Sequence, residues 1–339
     1  MIPPEHVGRA VGRYLRSLGV GVGEPGAAVA FAESQNWVEK AAVVDVLKAG
    51  VSALRTSDLP STTVRDDFIA ALRPYAILSK LDKAPQVTPR MRLLAFGTGT
   101  VAYRVGERKN IPISRPGLLG VTVEPLAKVA ALTVATKETL ATPGASIDVA
   151  LARDLVAAVG QKEDMVFLDP AEADSVLSGA PNAASAGTTL ANIDADMQKA
   201  IELLLAAGGK LRDAVWVLTP VAATKLAGMR GTDGALAFPD IGPNGGTLLK
   251  LPAIVSEAAD GFLSLIDQSR VLVEKDVGAE VSLSENAMLQ MTDDPTDLPD
   301  APVTMVSIFQ TECVAFKAVL YRSWKVLSGA GAYITGGIW

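Results

Sequence analysis

The side chains that most often carry nucleophilic or metal chemistry are nearly missing, since 339 residues hold one histidine, His6, and one cysteine, Cys313. A structural zinc site takes about four Cys or His ligands and a catalytic one about three protein ligands, so neither class can be assembled from these residues, although a carboxylate site could. A serine or cysteine nucleophile would have to borrow His6, and a solvated side chain near the terminus is the simpler reading of that residue. A single thiol forbids an intramolecular disulfide. Cys313 sits in a β-like stretch and reads as a small buried hydrophobe. The acidic pairs Asp66-Asp67, Asp293-Asp294 and Asp194/Asp196 could hold a divalent cation or do acid–base work. Their contexts are those of caps, exposed helix faces and an acidic loop, which favours solvated carboxylates. Gly21-Val-Gly-Glu-Pro-Gly26 has the letters of a dinucleotide-binding turn. That turn needs a strand before it and a helix opening within it. Here a helical pattern precedes the glycines and a proline interrupts them, which predicts a hinge. No phosphate-binding loop, nucleophile elbow or HExxH pattern occurs. The expectation is a protein without catalytic residues, cofactor or metal.

Composition narrows the class further. The chain is 49% hydrophobic, 20% charged and only 5% aromatic, which calls for an aliphatic core of one large domain or two intertwined ones. No apolar run is long enough to span a membrane, and the first residues lack the apolar core of a signal peptide, so a soluble intracellular product is expected. The net charge is −6, unevenly spread. Thr88 to Leu140 carries eight basic residues against three acidic ones, and Arg230 to Asp300 carries thirteen acids against four bases. Opposite charge on separate segments suits head-to-tail association of identical chains, although two solvated faces would look the same. Nucleic-acid recognition by the basic segment is disfavoured by its few aromatics and by the acidic whole.

The elements that would position these residues come in blocks. Val7, Val11, Tyr14, Leu15 and Leu18 mark a first helix, Phe31 to Val51 the stripe of a second over about Ala27 to Leu54, and Phe68 to Leu72 a third. Gly and Pro separate them, and together they resemble an arm laid along something else. Residues 90–136 turn β-like, with Leu93 to Tyr103 and Val121 to Val134 as two legs of about a dozen residues. At roughly 3.3 Å per residue such a hairpin reaches about 40 Å, and an isolated ribbon of that kind needs a partner surface. A helix is expected from Ser146 to about Lys162, with Ile147, Leu151, Leu155 and Val159 at four-residue spacing, followed by a loop over 171–189. Then come a helix from Thr189 to Ala207, a strand at 214–218 and a helix opened by Thr219-Pro220. Strands are predicted over 248–255, 262–266, 270–274, 279–290 and 303–326. Blocks of helices and strands, without βαβ alternation, predict an α+β fold.

In this order the parts resemble the major capsid proteins of tailed bacteriophages with the HK97-type fold. The resemblance rests on Asp164-Met-Val-Phe-Leu-Asp-Pro170, on Gly246 to Ser256, and on Ala102 to Ser114, which looks like that family's extended loop. Val306 to Trp324 looks like its last strands, particularly in Mu-like prophages. It covers about Asp58 to Thr335. It implies an HK97-like capsid fold: an N-terminal helical arm at 1–86, an extended β-hairpin loop at 87–140, a peripheral domain with a long spine helix at 141–169 and 269–339, and an axial domain at 170–268.

The resemblance also implies a structural protein that assembles with itself into pentamers and hexamers of an icosahedral head around double-stranded DNA. Scaffold, portal and decoration proteins are further implied partners, and no membrane is. It places the protein in the virion, assembled in the bacterial host cytoplasm. The short arm favours a separate scaffold or none. Arg104, Glu107, Arg108, Lys109 and Arg115 near the hairpin tip become intersubunit contacts, with the basic ones facing acids of an adjacent copy. Some members join the hairpin to a neighbour by a Lys–Asn isopeptide bond promoted by a Glu, for which Lys109, Asn286 and Glu312 are the nearest candidates, with poorly matching surroundings. Two other readings stand beside this one. An encapsulin-like nanocompartment shell shares the fold, and the long hairpin and the Mu-like tail residues favour the phage. A soluble α+β enzyme acting through carboxylates would be a compact monomer or dimer.

Overall fold

The computed structural model describes residues 9–20, 25–35, 37, 40–48, 53–54, 71–72, 76–87, 92–98, 117–122, 128–141, 145–232, 234–259, 261–274, 278–291 and 305–339. Its helices are α1 (Arg9–Val20), α2 (Pro25–Ser34), α3 (Lys40–Lys48), α4 (Lys137–Ala141), α5 (Ala145–Leu168), α6 (Leu190–Ala206) and α7 (Pro220–Gly228). Its strands are β1 (Ala53–Leu54), β2 (Gln86–Val87), β3 (Arg92–Thr98), β4 (Gly117–Thr122), β5 (Val129–Thr136), β6 (Asn182–Ala184), β7 (Ala214–Leu218), β8 (Ile241–Gly242) and β9 (Gly245–Leu248). They continue with β10 (Leu251–Val255), β11 (Phe262–Asp267), β12 (Val271–Glu274), β13 (Gly278–Ser284), β14 (Met288–Gln290), β15 (Met305–Ser307), β16 (Cys313–Tyr321), β17 (Trp324–Val326) and β18 (Gly331–Thr335).

The strands form a four-stranded sheet in the order β1-β13-β16-β5, a seven-stranded sheet in the order β6-β18-β11-β7-β10-β9-β8, and a three-stranded sheet in the order β17-β12-β2. The pairs β14-β15 and β3-β4 stand as two-stranded ribbons. The fold is α+β, as the block order predicts.

Among the described residues, the apolar side chains form three cores. The arm helices α1 to α3 pack with α4 and the first half of α5 against one face of the four-stranded sheet, burying Tyr14, Leu47, Leu72, Leu155, Val159, Phe316 and Leu320. The helices expected as an arm therefore lie along their own chain. The second core lies under α6 and α7 on one face of the seven-stranded sheet, around Trp216, Met197, Leu265 and Ile334. The third, on the opposite face, holds Val215, Val217, Ile266, Phe167, Leu168, Ile77 and Trp324. Alternate residues of β7 point to opposite faces, so its run of buried residues serves both cores.

Local chemistry accounts for several boundaries. The hydroxyl of Thr189 accepts from Asn192 N at 3.4 Å and caps α6, and that of Thr219 accepts from Ala222 N at 3.1 Å ahead of Pro220 in the first turn of α7. Elsewhere tertiary packing decides. The stretch expected as one helix from Ala27 to Leu54 is two helices and a strand. Trp37, in the break, packs edge-on to Phe31 at 6.0 Å and lies 5.3 Å beneath the Arg13 guanidinium. The second hairpin leg is also two strands. β3 pairs with β4, whereas β5 leaves the ribbon and pairs with β16 from Cys313↔Thr136 to Leu320↔Val129. The stretch 248–255 is broken by a two-residue turn in which Leu249 and Lys250 take φ of 51° and 63°, and 303–326 is divided into β15, β16 and β17. The loop over 171–189 contains β6, and β18, paired on one side with β11 and on the other with β6, draws residues 331–335 into the seven-stranded sheet, otherwise built from within 170–268.

The helix expected to end near Lys162 continues to Leu168. Its buried positions are Leu155/Val156, Val159/Gly160, Glu163/Asp164 and Phe167/Leu168, one pair per turn. The first two pairs belong to the arm-side core and the last to the core under the seven-stranded sheet. Two carboxylates thus occupy the seam between cores.

Candidate functional site

Catalytic constellations gain nothing from the fold. Among the described residues no three His, Cys, Asp or Glu side chains converge as metal ligands, and His6 lies outside them. Cys313 is half-buried with its thiol 3.3 Å from the Thr311 carbonyl, which corrects its reading as a core residue. Asp196 is buried, contrary to its reading as a solvated carboxylate. It accepts from Ala186 N at 2.7 Å, Ser185 Oγ at 2.5 Å and Trp339 Nε1 at 3.1 Å, and so ties the 185–187 loop and the last residue to α6. Asp66-Asp67 and Asp293-Asp294 lie outside the described residues. Helix α1 directly precedes the Gly21 to Gly26 segment and α2 begins inside it, which leaves no strand to form a dinucleotide-binding turn.

The intersubunit candidates Arg104, Glu107, Arg108, Lys109 and Arg115 also lie outside the described residues. What is fixed is their base: Thr98 is paired with Gly117, so the connection carrying them leaves from one end of the β3-β4 ribbon. Asn286 and Glu312 are exposed and sit at the same end of the β13-β16 pair, whose last partners are Ser284 and Ala315. Glu312 has φ of 50° and its carbonyl accepts from Lys137 N at 3.0 Å. Beside them Lys137 Nζ pairs with Glu285 Oε2 at 3.3 Å, an ion pair with no signature in the sequence.

A second feature is exposed apolar surface. The β14-β15 ribbon and its flanks expose Met288 and Met291 at 60% each, Met305 at 44% and Phe309 at 69%. A two-stranded ribbon is marginal alone, and clustered exposed apolar side chains of this size mark interaction surfaces. Covering the area each still exposes would contribute roughly 0.7–2 kcal/mol. The four-stranded sheet adds to this. Its helix-free face carries Leu132, Lys317 and Tyr321, and β5 is its edge.

The third feature is the seam on α5. Glu163 is fully buried and its Oε2 lies 3.2 Å from Arg322 Nη1, which also donates to Ser79 Oγ at 3.1 Å. Burial pushes the Glu163 carboxyl up, against the pull of the Arg322 charge. Asp164 Oδ1 accepts from Ile77 N at 2.6 Å and Oδ2 from Ser256 Oγ at 2.7 Å. Burial outweighs both bonds and pushes the Asp164 carboxyl up to about 7. Lys80, on the turn Ile77–Lys80, is pulled down by its own burial and held up in part by Asp164. A cavity of about 450 Å³ opens beside this group, lined in part by Lys80, Gln161, Ser256 and Glu257. The seam joins the turn at 77–80, α5, the end of β10 and the residue after β16. Extending the four-residue spacing of Leu155 and Val159 to positions 163 and 167 would have found it in the sequence.

Comparison with known proteins adds the following. The pattern of the Phage capsid family matches residues 58–323. A "Capsid polyprotein" of Pseudomonas phage PAJU2 is 32% identical over 362 residues, an alignment that takes in 98% of this chain and 54% of that protein. The chain thus spans about half the length of the curated relative it matches. Among solved structures, a chain from Gordonia phage Cozz superposes with a TM-score of 0.52 at 17% identity, covering 77% of this chain and 86% of its own. One from Mycobacterium phage Ogopogo does so with a TM-score of 0.51 at 17% identity, covering 77% and 91%. At these identities the likeness is one of fold.

Proposed function

The chain belongs to the phage capsid family and has its HK97-type fold, and on that premise we propose that it is a major capsid protein. In this reading it assembles with itself into pentamers and hexamers of the icosahedral head that encloses phage DNA. The observation that carries the reading is the family match over 58–323, reinforced by a capsid relative aligned along 98% of the chain. Its role is structural and not catalytic, and its place is the virion, after assembly in the host cytoplasm. The arm is 1–86, the extended loop 87–140, the peripheral domain 141–169 with 269–339, and the axial domain 170–268, with β18 crossing into the axial sheet. Scaffold, portal and decoration proteins belong to this reading as further partners, and the packaged DNA is held by non-specific charge contact.

Physical support comes from what the fold leaves uncovered. The β14-β15 ribbon and the open face of the four-stranded sheet expose apolar side chains that a neighbouring copy can bury. Arg104, Arg108, Lys109 and Arg115, with Glu107 among them, occupy the connection of the β3-β4 ribbon, whose basic character complements the acidic segment 230–300 of an adjacent copy. A covalent Lys109–Asn286 link promoted by Glu312 is a minor variant of this contact. Particles that dissolve in hot detergent to one band near 35.2 kDa would dismiss it.

Negative-stain microscopy of the purified chain tests the reading. Closed particles or ring-shaped capsomers are expected, and dispersed compact monomers at every concentration would contradict it. Nuclease-resistant DNA in particles from infected or induced cells distinguishes a phage head from a cargo-bearing shell.

A further inference from the structure

The seam on α5 gathers its groups from separate elements of the chain: the turn at 77–80, the helix itself, the end of β10 and the residue after β16. Asp164 takes one hydrogen bond from each of two segments that do not otherwise belong to the spine helix: Ile77 N in the turn that ends the arm, and Ser256 Oγ at the end of β10. Ala76, preceding that turn, offers it no side-chain cap, so the Asp164 carboxylate satisfies the Ile77 N–H from another element. The carboxyl lies at the meeting of the arm-side core and the core under the seven-stranded sheet. Two of its neighbours, Ser256 and Lys80, line the adjoining cavity.

We infer that Asp164 is a proton-operated latch that fastens the end of the arm and the axial segment to the spine helix, tight when the carboxyl is protonated and loose when it is ionised. The geometry allows both states. Protonated at Oδ2, the carboxyl donates to Ser256 Oγ, reversing that bond, while Oδ1 still accepts from Ile77 N. Ionised, it keeps both acceptors but is a charge held out of water. Among the described residues, the charged groups around it are Glu163 on its own helix, which repels the anion, and Lys80 on the arm turn, which attracts it. Arg322, from the end of β16, is engaged by Glu163 and Ser79. Glu257, next to Ser256, accepts from Gln161 at 3.4 Å on the cavity wall. Glu163 thus has Arg322 as its cation, while Asp164 faces Lys80, an ammonium itself pulled down by burial.

The sign follows from linkage. A carboxyl held near 7 in the latched state, and near the ordinary value of about 4 once exposed, binds its proton more tightly when latched. Opening is therefore favoured as pH rises from about 4 to about 7, by about tenfold per pH unit, and levels off above that. Acid tightens the latch.

Hydrogen exchange at the Ile77 amide in the purified full-length protein reads this directly, after correction for the intrinsic rate. Protection is expected to fall about tenfold per unit between about pH 5 and about pH 7 and then to flatten. Asp164→Asn, whose amide can accept from Ile77 and donate to Ser256, imitates the protonated state. It should hold its protection across that range, with only the smaller slope left by Glu163. Level protection in the wild-type chain would overturn the latch whether or not the variant folds, as would equal slopes in both proteins.

Discussion

The seven-stranded and four-stranded sheets meet solvent in opposite ways. The larger one is covered on both faces by its own chain: α6 and α7 lie over Trp216 and Leu265, while the end of α5 and the turn at 77–80 lie over Val215, Val217 and Ile266. Among the described residues, helices cover the smaller one on one face, where α1 to α3 and the first half of α5 lie over Phe316 and Leu320. Its other face and the nearby β14-β15 ribbon keep Leu132, Tyr321, Met288 and Phe309 in water. The larger sheet is covered within a single chain, although Leu205, Val221, Leu236 and Leu249 around it are exposed. The other holds apolar area that burial by a second copy would turn into association energy. A subunit that tiles a surface needs both, a rigid body and an unfinished edge.

Substitutions separate the two regions. The largest effect is expected from Trp216→Ala, which empties the centre of the two-sided sheet and removes the indole bond to the Leu248 carbonyl, 3.1 Å long. It should lower chain stability by about 3–5 kcal/mol, seen as an earlier urea midpoint of dissociated chain. Arg322→Ala comes next. It leaves Glu163 buried without its cation, and a broken buried pair costs about 3–5 kcal/mol. Proton uptake by Glu163, already pushed up by burial, should relieve part of that cost, so the loss should shrink as pH falls. A variant whose deficit grew in acid would contradict the assignment. Leu249→Asn with Lys250→Gly gives the smallest and opposite effect. Both residues sit in left-handed backbone in an exposed turn of the larger sheet, and residues suited to that geometry should add about 1 kcal/mol to stability without altering association.

Sequence and structure agree where local chemistry decides. Thr189 and Thr219-Pro220 mark helix starts, and the five-residue strand at 214–218 lies where its apolar run predicts. They part where pairing is non-local. Val129 to Val134 look continuous with the hairpin leg, yet their partners lie nearly two hundred residues on, in β16. The left-handed turn at Leu249-Lys250 carries no glycine or asparagine to announce it, and the break at Trp37 depends on an aromatic cage formed with Arg13 and Phe31. The second half of α5 was concealed by chemistry: Glu163 and Asp164 stand at buried positions that an apolar pattern leaves unread. Asp196, on the buried stripe of α6 beside Ile193 and Met197, was concealed in the same way. The candidate contact residues 104–115 are legible only through charge and resemblance.

The division between a covered and an unfinished region is tested most directly by sedimentation velocity of the full-length chain beside Met288→Ser/Phe309→Ser. Both side chains are exposed, so the double variant should unfold within about 0.5 kcal/mol of the wild type. The wild type is expected to sediment as capsomers or particles and the variant as a folded, slowly sedimenting chain. A variant that assembles as the wild type does, or a wild type that stays at 35.2 kDa at every concentration, would contradict the account.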